Sequence, residues 1–341
     1  MKRLIDVNSD LDLKISETIR SKGYRDFQHF ASIALENQVL AENEIQQHWN
    51  IFRNHLRPDN VVSTHNDSLY LRPTSDCKIL DSPTNEELVD DFLWGQYYRF
   101  LPIKLAVRVL VNLSGKYFPP YTEFIEAATS SAYSIRKELF RIDNRKRNHF
   151  GDKVSAGFPD ETEESIRRFK DHFLITWRKG SSKLDGMLAR LKFANVVEID
   201  GEPRVGVTDF GHQFAVLHNN VLDDNRLPSL SEDERSYLLK HIFRYMPNEA
   251  KHLTIMLNLI RSDNNTRDAL NATLRDFYPD LAAEANWSDN VVNTMRAGMI
   301  GRLQEMGLID RHKSGKFVSY SVTEVGDSVA NASISSRGIR K

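Results

Sequence analysis

One stretch of the chain occurs twice, and that repetition limits the folds open to it. Gly186-Met187-Leu188-Ala189-Arg190-Leu191 is answered 112 residues later by Gly298-Met299-Ile300-Gly301-Arg302-Leu303. At the same displacement, Asn195-Val196-Val197-Glu198 meets Gly307-Leu308-Ile309-Asp310. Val207-Thr208-Asp209-Phe210-Gly211 then matches Val322-Thr323-Glu324-Val325-Gly326 at 115, which implies a loop three residues longer in the second copy.

Each copy reads the same way. A helix comes first, with apolar residues at three-four spacing: Leu184, Met187, Leu188 and Leu191, or Val292, Met295, Met299, Leu303 and Met306. Gly307 suits the left-handed residue that ends such a helix, and Asn195 can adopt the same conformation. Two short β-runs follow, joined by a polar turn, Asp200-Gly201-Glu202-Pro203 or Lys313-Ser314-Gly315-Lys316. A further helical segment closes each copy, Gln213 to Leu217 and Asp327 to Ala330. Upstream, Ala250 to Arg261 and Thr266 to Tyr278 read as two more helices for the second copy, with Ser288 or Asp289 capping the third. Leu101 to Leu113 and Tyr121 to Thr129 fill those places in the first.

The segment from Arg302 to Ala330 resembles the recognition helix, wing and following helix of winged-helix DNA-binding proteins, and the likeness extends over roughly residues 92–333. The fold class expected is mainly α: two winged helices in tandem with short β-hairpin wings, after a small helical module. Winged helix 1 is expected over 91–222, with an insertion at 131–183, and winged helix 2 over 230–333. Residues 57–90, rich in Pro, Asp, Ser, Thr and Asn, read as a linker, and 334–341 as a disordered tail.

Residues 1–56 carry a different pattern. Arg3 to Val7 reads as a short strand, a helix bearing Leu11, Ile15 and Ile19 follows, and Gly23-Tyr24 leads into a second helix with Phe27, Phe30 and Ala34. This segment resembles a ribbon-helix-helix module, a resemblance that implies a homodimer because one strand and two helices cannot close a core alone. Leu4 and Asp6 on the outer strand face do not suit base reading, and a helical hairpin packed within its own chain is the plainer alternative.

Charge distribution points the same way as the repeat. The whole chain has a net charge of −1, yet residues 130–192 hold 15 Lys/Arg against 9 Asp/Glu. Arg136, Lys137, Arg141, Arg145, Lys146 and Arg147 cluster in the insertion, either as a solvated face or as a grip on phosphates. The second wing carries Arg311, Lys313 and Lys316, whereas the first is acidic. Asn290, Asn293, Thr294 and Arg302 are expected on the outward face of the second recognition helix, where amide and guanidinium groups read adenine and guanine.

Catalytic signatures are missing. A single cysteine excludes a four-cysteine zinc site and a disulfide framework, and the 11 histidines form no His-Glu-x-x-His arrangement. There is no Gly-rich phosphate loop or serine nucleophile elbow. Asp67 with Asp76 and Lys78 resembles a nuclease metal site, but its flanks are too short and polar for the sheet such sites need. No metal or other cofactor and no membrane contact is expected, and the chain reads as cytoplasmic. The expected function is non-catalytic binding of double-stranded DNA, as a transcriptional regulator of a mobile-element, plasmid or defence locus. The alternative is a non-catalytic subunit of a larger DNA-processing or defence complex, whose winged helices hold a protein partner.

Overall fold

The computed structural model describes residues 77–81, 92–145, 153–177, 184–224, 226–277 and 288–338, with single positions 16, 27 and 73. The chain divides into two compact units, 1–59 with 334–341, and 60–333. Ser16 and Phe27 are helical. The rest of the ribbon-helix-helix-like segment, and the pairing proposed through it, lie outside the described residues.

The larger unit is mainly helical with two small sheets. Its first lobe contains β1 (Ile79–Leu80), α1 (Leu101–Leu113), α2 (Tyr121–Arg145), α3 (Glu163–Phe173), α4 (Met187–Arg190), β2 (Ala194–Ile199), β3 (Glu202–Thr208), α5 (Asp209–Val216) and α6 (Asn220–Asp224). Helix α7 (Glu232–Tyr245) leads to a second lobe of α8 (Pro247–Arg261), α9 (Arg267–Phe277), α10 (Asp289–Glu305), β4 (Ile309–Ser314), β5 (Phe317–Val322) and the greater part of α11 (Glu324–Gly338), whose residues 334–338 fall in the smaller unit. In the second lobe a single bridge, Thr266 to Ser319, extends the β4–β5 hairpin, so the order is helix, bridge, helix, helix, hairpin, helix. The first lobe has the matching bridge, Pro120 to Arg204, and adds β1 in parallel with β3. The expected linker therefore contains a sheet strand, and α11 runs to Gly338 through part of the expected tail.

Helix α1 is buried from Leu101 to Val111, which suits a helix apolar on nearly every side. Two cations one turn apart, Lys104 and Arg108, are buried in it. They serve the carbonyls that α5 leaves open at its C-terminal end. Lys104 Nζ donates to Phe214 O at 2.5 Å and Leu217 O at 2.7 Å, and Arg108 donates to Ala215 O at 3.1 Å and Leu217 O at 2.9 Å. Arg108 also forks onto Asp223, and Lys104 lies 2.9 Å from Glu234 of α7. Burial lowers the Lys104 amine to about 8 and raises Glu234, each partly opposed by the other's charge.

The hairpins correct the register of the repeat. Ala194–Ile199 and Glu202–Thr208 correspond to Ile309–Ser314 and Phe317–Thr323 at a constant 115, so the two wings have equal length. Phe193 N–H donates to Leu188 O, and Leu308 N–H to Leu303 O, the same helix-ending bond. The left-handed residue in the first copy is Lys192 (φ 58°), matching Gly307 (φ 74°), and not Asn195. Thr208 and Thr323 then act alike. Their hydroxyls donate back to Lys192 O and Gly307 O and accept from Gly211 N–H and Gly326 N–H, capping α5 and α11. Side chains at Gly211 or Gly326 would come within 2.0 and 2.1 Å of a backbone carbonyl oxygen.

Upstream of the hairpins the copies diverge. The third helix of the first lobe is only Met187–Arg190, against 17 residues for α10. The expected second helix runs past Thr129 to Arg145, carrying Phe124, Ala128, Ala132, Ile135, Leu139 and Ile142 inward. The insertion is therefore the back half of α2 and, among the described residues, α3. Helix α7 belongs by packing to the first lobe as well as the second. Tyr237 donates to Phe210 O at 2.7 Å, and His241 Nε2 lies 2.8 Å from Leu191 O.

Candidate nucleic-acid interface and an arginine-lined cleft

Residues 92–100 join the lobes, and Arg190 and Arg302 both end on them. Arg190 Nη1 donates to Phe92 O at 3.1 Å. Arg302 donates to Leu93 O at 2.9 Å, Trp94 O at 3.2 Å and Tyr97 O at 2.7 Å. Glu249 accepts from Leu93 N–H at 3.0 Å, and Glu305 from Phe100 N–H at 2.7 Å. An irregular segment threaded through a core has no ladder to satisfy its peptide groups, so charged side chains satisfy them instead.

This arrangement corrects one expected DNA contact. Arg302 is fully buried, ion-paired with Glu249 and committed to carbonyls, so it faces the interior. Its spacing was the available signal. Met295, Met299, Arg302 and Met306 follow each other at four, three and four residues, which places Arg302 on the apolar stripe.

The other expected residues of α10 are exposed. Asn290, Asn293, Thr294 and Ala297 form an uncovered edge of the helix. Asn293 Oδ1 accepts from Asn271 of α9 at 2.8 Å, and the Thr294 hydroxyl donates to Asn290 O at 2.7 Å. The counterpart region of the first lobe offers no such edge, because Met187 and Leu188 of α4 are buried.

On the β4–β5 hairpin, His312, Lys313 and Lys316 are exposed, and Phe317 beside them is 83% exposed. Arg311 is half-buried. The first hairpin turns through Asp200 and Gly201 and carries Glu202 paired with Arg204, leaving an acidic tip.

In the basic insertion Lys137 and Arg141 are exposed and Arg136 is half-buried, each beside a local partner. Arg136 lies 3.8 Å from Asp160, Arg141 pairs with Glu138, and Lys137 sits over the Tyr133 ring at 5.5 Å. The side chain of Arg145, with Lys146 and Arg147, lies outside the described residues, as do Asp67 and Asp76. Among the described residues no cluster of His, Cys, Asp and Glu is arranged to hold a metal ion, and no helix is long and apolar enough to cross a membrane.

Sequence reasoning missed a cleft of about 540 Å³ lined by Arg99, Arg235, Arg311, Glu305 and the apolar residues Val154, Leu227, Pro228 and Ile309. Its arginines come from the segment before α1, from α7 and from β4, so no local pattern unites them. Burial pushes the Arg235 guanidinium below its usual range, opposed by Glu305 and Glu232. No family model, no curated protein and no solved structure matches the chain.

Proposed function

We propose that the chain is a non-catalytic DNA-binding protein of winged-helix type, in which the second lobe makes the contact and the first is a scaffold. The element order of each lobe supports the winged-helix reading. One observation carries the choice of lobe. Helix α10 keeps Asn290, Asn293 and Thr294 uncovered, in a lobe whose hairpin also leaves Lys313 and Lys316 uncovered. A long helix with exposed amides is the form that enters a major groove, and lysines on a hairpin tip reach phosphates. The four-residue α4 and the acidic hairpin of the first lobe offer neither. Regulation of transcription is the role this reading favours, with dimerisation through residues 1–40 as its expected means of spanning two half-sites.

Phe317 favours a second reading. A phenylalanine 83% exposed, with Val291 at 38% in the same lobe, fits a protein partner. Electrophoretic shifts of the full chain on mixed-sequence duplex at two salt concentrations decide between them. DNA binding gives a shift that weakens steeply with salt. Absence of any shift at the lower salt overturns the reading and leaves the protein-contact alternative.

A further inference from the structure

Arg235, at the fourth position of α7, carries a largely buried guanidinium. Its Nε is buried and makes no hydrogen bond. Leaving a desolvated guanidinium donor unmatched is costly, and native structures seldom do so without water or an ion in place. Arg235 lines a cleft together with Arg99 and Arg311. Two acids, Glu305 and Asp310, share the lining, so the five charged residues sum to one net positive charge. Glu305 is already occupied by Phe100 N–H at 2.7 Å and by the Ser229 hydroxyl at 2.9 Å.

The shape adds a second constraint. A cleft of about 540 Å³ falls in the range that holds small organic ligands. One part of its wall is apolar (Val154, Leu227, Pro228, Ile309), while Gln304 and Ser229 bring polar groups. Gly307 borders the arginines, and a side chain there would come within 2.8 Å of Arg235 Nη1. Glycine at that position lets the guanidinium lie directly against the backbone at the end of α10.

We propose that this cleft binds a phosphate monoester of about mononucleotide size, with the phosphate held by Arg235, Arg99 and Arg311 and the organic body against the apolar wall. Arginine forks match phosphate oxygens, and three arginines line this one cleft. The phosphate belongs either to a free small molecule or to the 5′ end of a polynucleotide. The proposal does not require α10 or the hairpin tip to touch DNA.

The test uses the full chain with four probes: AMP, adenosine, a 5′-phosphorylated duplex, and the same duplex with 5′-hydroxyl ends. Binding is followed by calorimetry and by the thermal midpoint, for the wild type and for Arg235→Met. Methionine fills similar volume without charge, so the unliganded variant should fold with an equal or higher midpoint. Saturable binding of AMP but not adenosine, weakened roughly tenfold or more in Arg235→Met, supports a free ligand. The same loss seen only as a preference for the phosphorylated duplex supports a polynucleotide end. Equal binding of both duplexes, unaffected by Arg235→Met, speaks for the α10 surface alone and against the cleft. Absence of phosphate-dependent binding, or identical binding by both proteins, overturns the proposal. Should Arg235→Met not fold, Arg311→Gln replaces it, with the same loss of affinity required.

Discussion

Arg302 Nε and Glu249 Oε1 meet at 2.8 Å with neither side chain exposed, joining α10 to α8 and closing on the backbone of residues 93–97. A buried pair of this kind contributes little over a well-packed apolar pair, but each partner is expensive to leave alone. Glu249→Gln keeps the shape and removes the charge. Chemical denaturation should show a loss of about 3 kcal/mol or more, with the double variant Glu249→Gln/Arg302→Met losing less than the sum of the two single variants. Equal losses that simply add would show that the two groups are not coupled.

Gly95 and Gly298 bring the joining segment directly onto α10. A Cβ at Gly298 would lie 2.2 Å from Gly95 O, and one at Gly95 would lie 2.3 Å from Thr294 O. Backbone meets backbone here, so no rotamer change relieves the overlap. Gly298→Ala should destabilise strongly, by roughly 3 kcal/mol or more, although alanine is the better helix former. Helical propensity alone predicts the opposite sign, with stabilisation of up to about 1 kcal/mol. Thermal unfolding of the single variant separates the two.

Much of this architecture was legible in the chain. The three-four spacing from Val292 to Met306 marks α10, and the β-runs with their turns mark both hairpins. Thr208-x-x-Gly211 and Thr323-x-x-Gly326 mark the caps that follow. The register of the repeat was not legible, because helix patterns recur every three to four residues and a slip of three keeps the faces matched. The hairpin pairing alone fixes it at 115. The role of Phe92 to Phe100 was hidden for another reason. Its partners Glu249, Arg302 and Glu305 lie more than 150 residues away, and a segment bonded by side chains has no period. The same distance concealed the cleft.

Acid should weaken the junction of α7 with the first lobe. His241 is 3% exposed, ringed by Phe193, Phe210, Tyr237 and Tyr245, with Nε2 at 2.8 Å from Leu191 O. Burial lowers its pKa to about 4, with the Lys192 charge adding to the effect and the Leu191 carbonyl opposing it. The unfolded chain, with an ordinary imidazole near 6.5, binds the proton first as pH falls. Stability is therefore full above pH 6.5 and is lost on descending toward pH 4, by about 3 kcal/mol in all. Urea titrations at pH 7.5 and pH 5 should differ by about 2 kcal/mol from this group. His241→Phe should cut that difference by the same amount, and an unchanged pH dependence would place the acid sensitivity elsewhere.

The exposed edge of α10 and the β4–β5 tip should contribute differently to DNA binding. Asn293 and Thr294 are exposed on α10, and on the proposed winged-helix reading they would face base edges, so replacing both with alanine should remove information more than attraction. Sequence preference should fall by about 1–3 kcal/mol at the contacted positions, while affinity for mixed-sequence duplex changes little. Lys313→Ala with Lys316→Ala removes attraction instead. Each lost phosphate contact should lower the slope of log affinity against log salt by about one, uniformly across sequences. Fluorescence anisotropy over a salt series, run on a selected site and on a scrambled one, reads both effects. If the lysine pair leaves the slope unchanged, the hairpin does not touch DNA. If the Asn293 and Thr294 variant loses affinity equally on both duplexes, α10 binds backbone and reads no sequence.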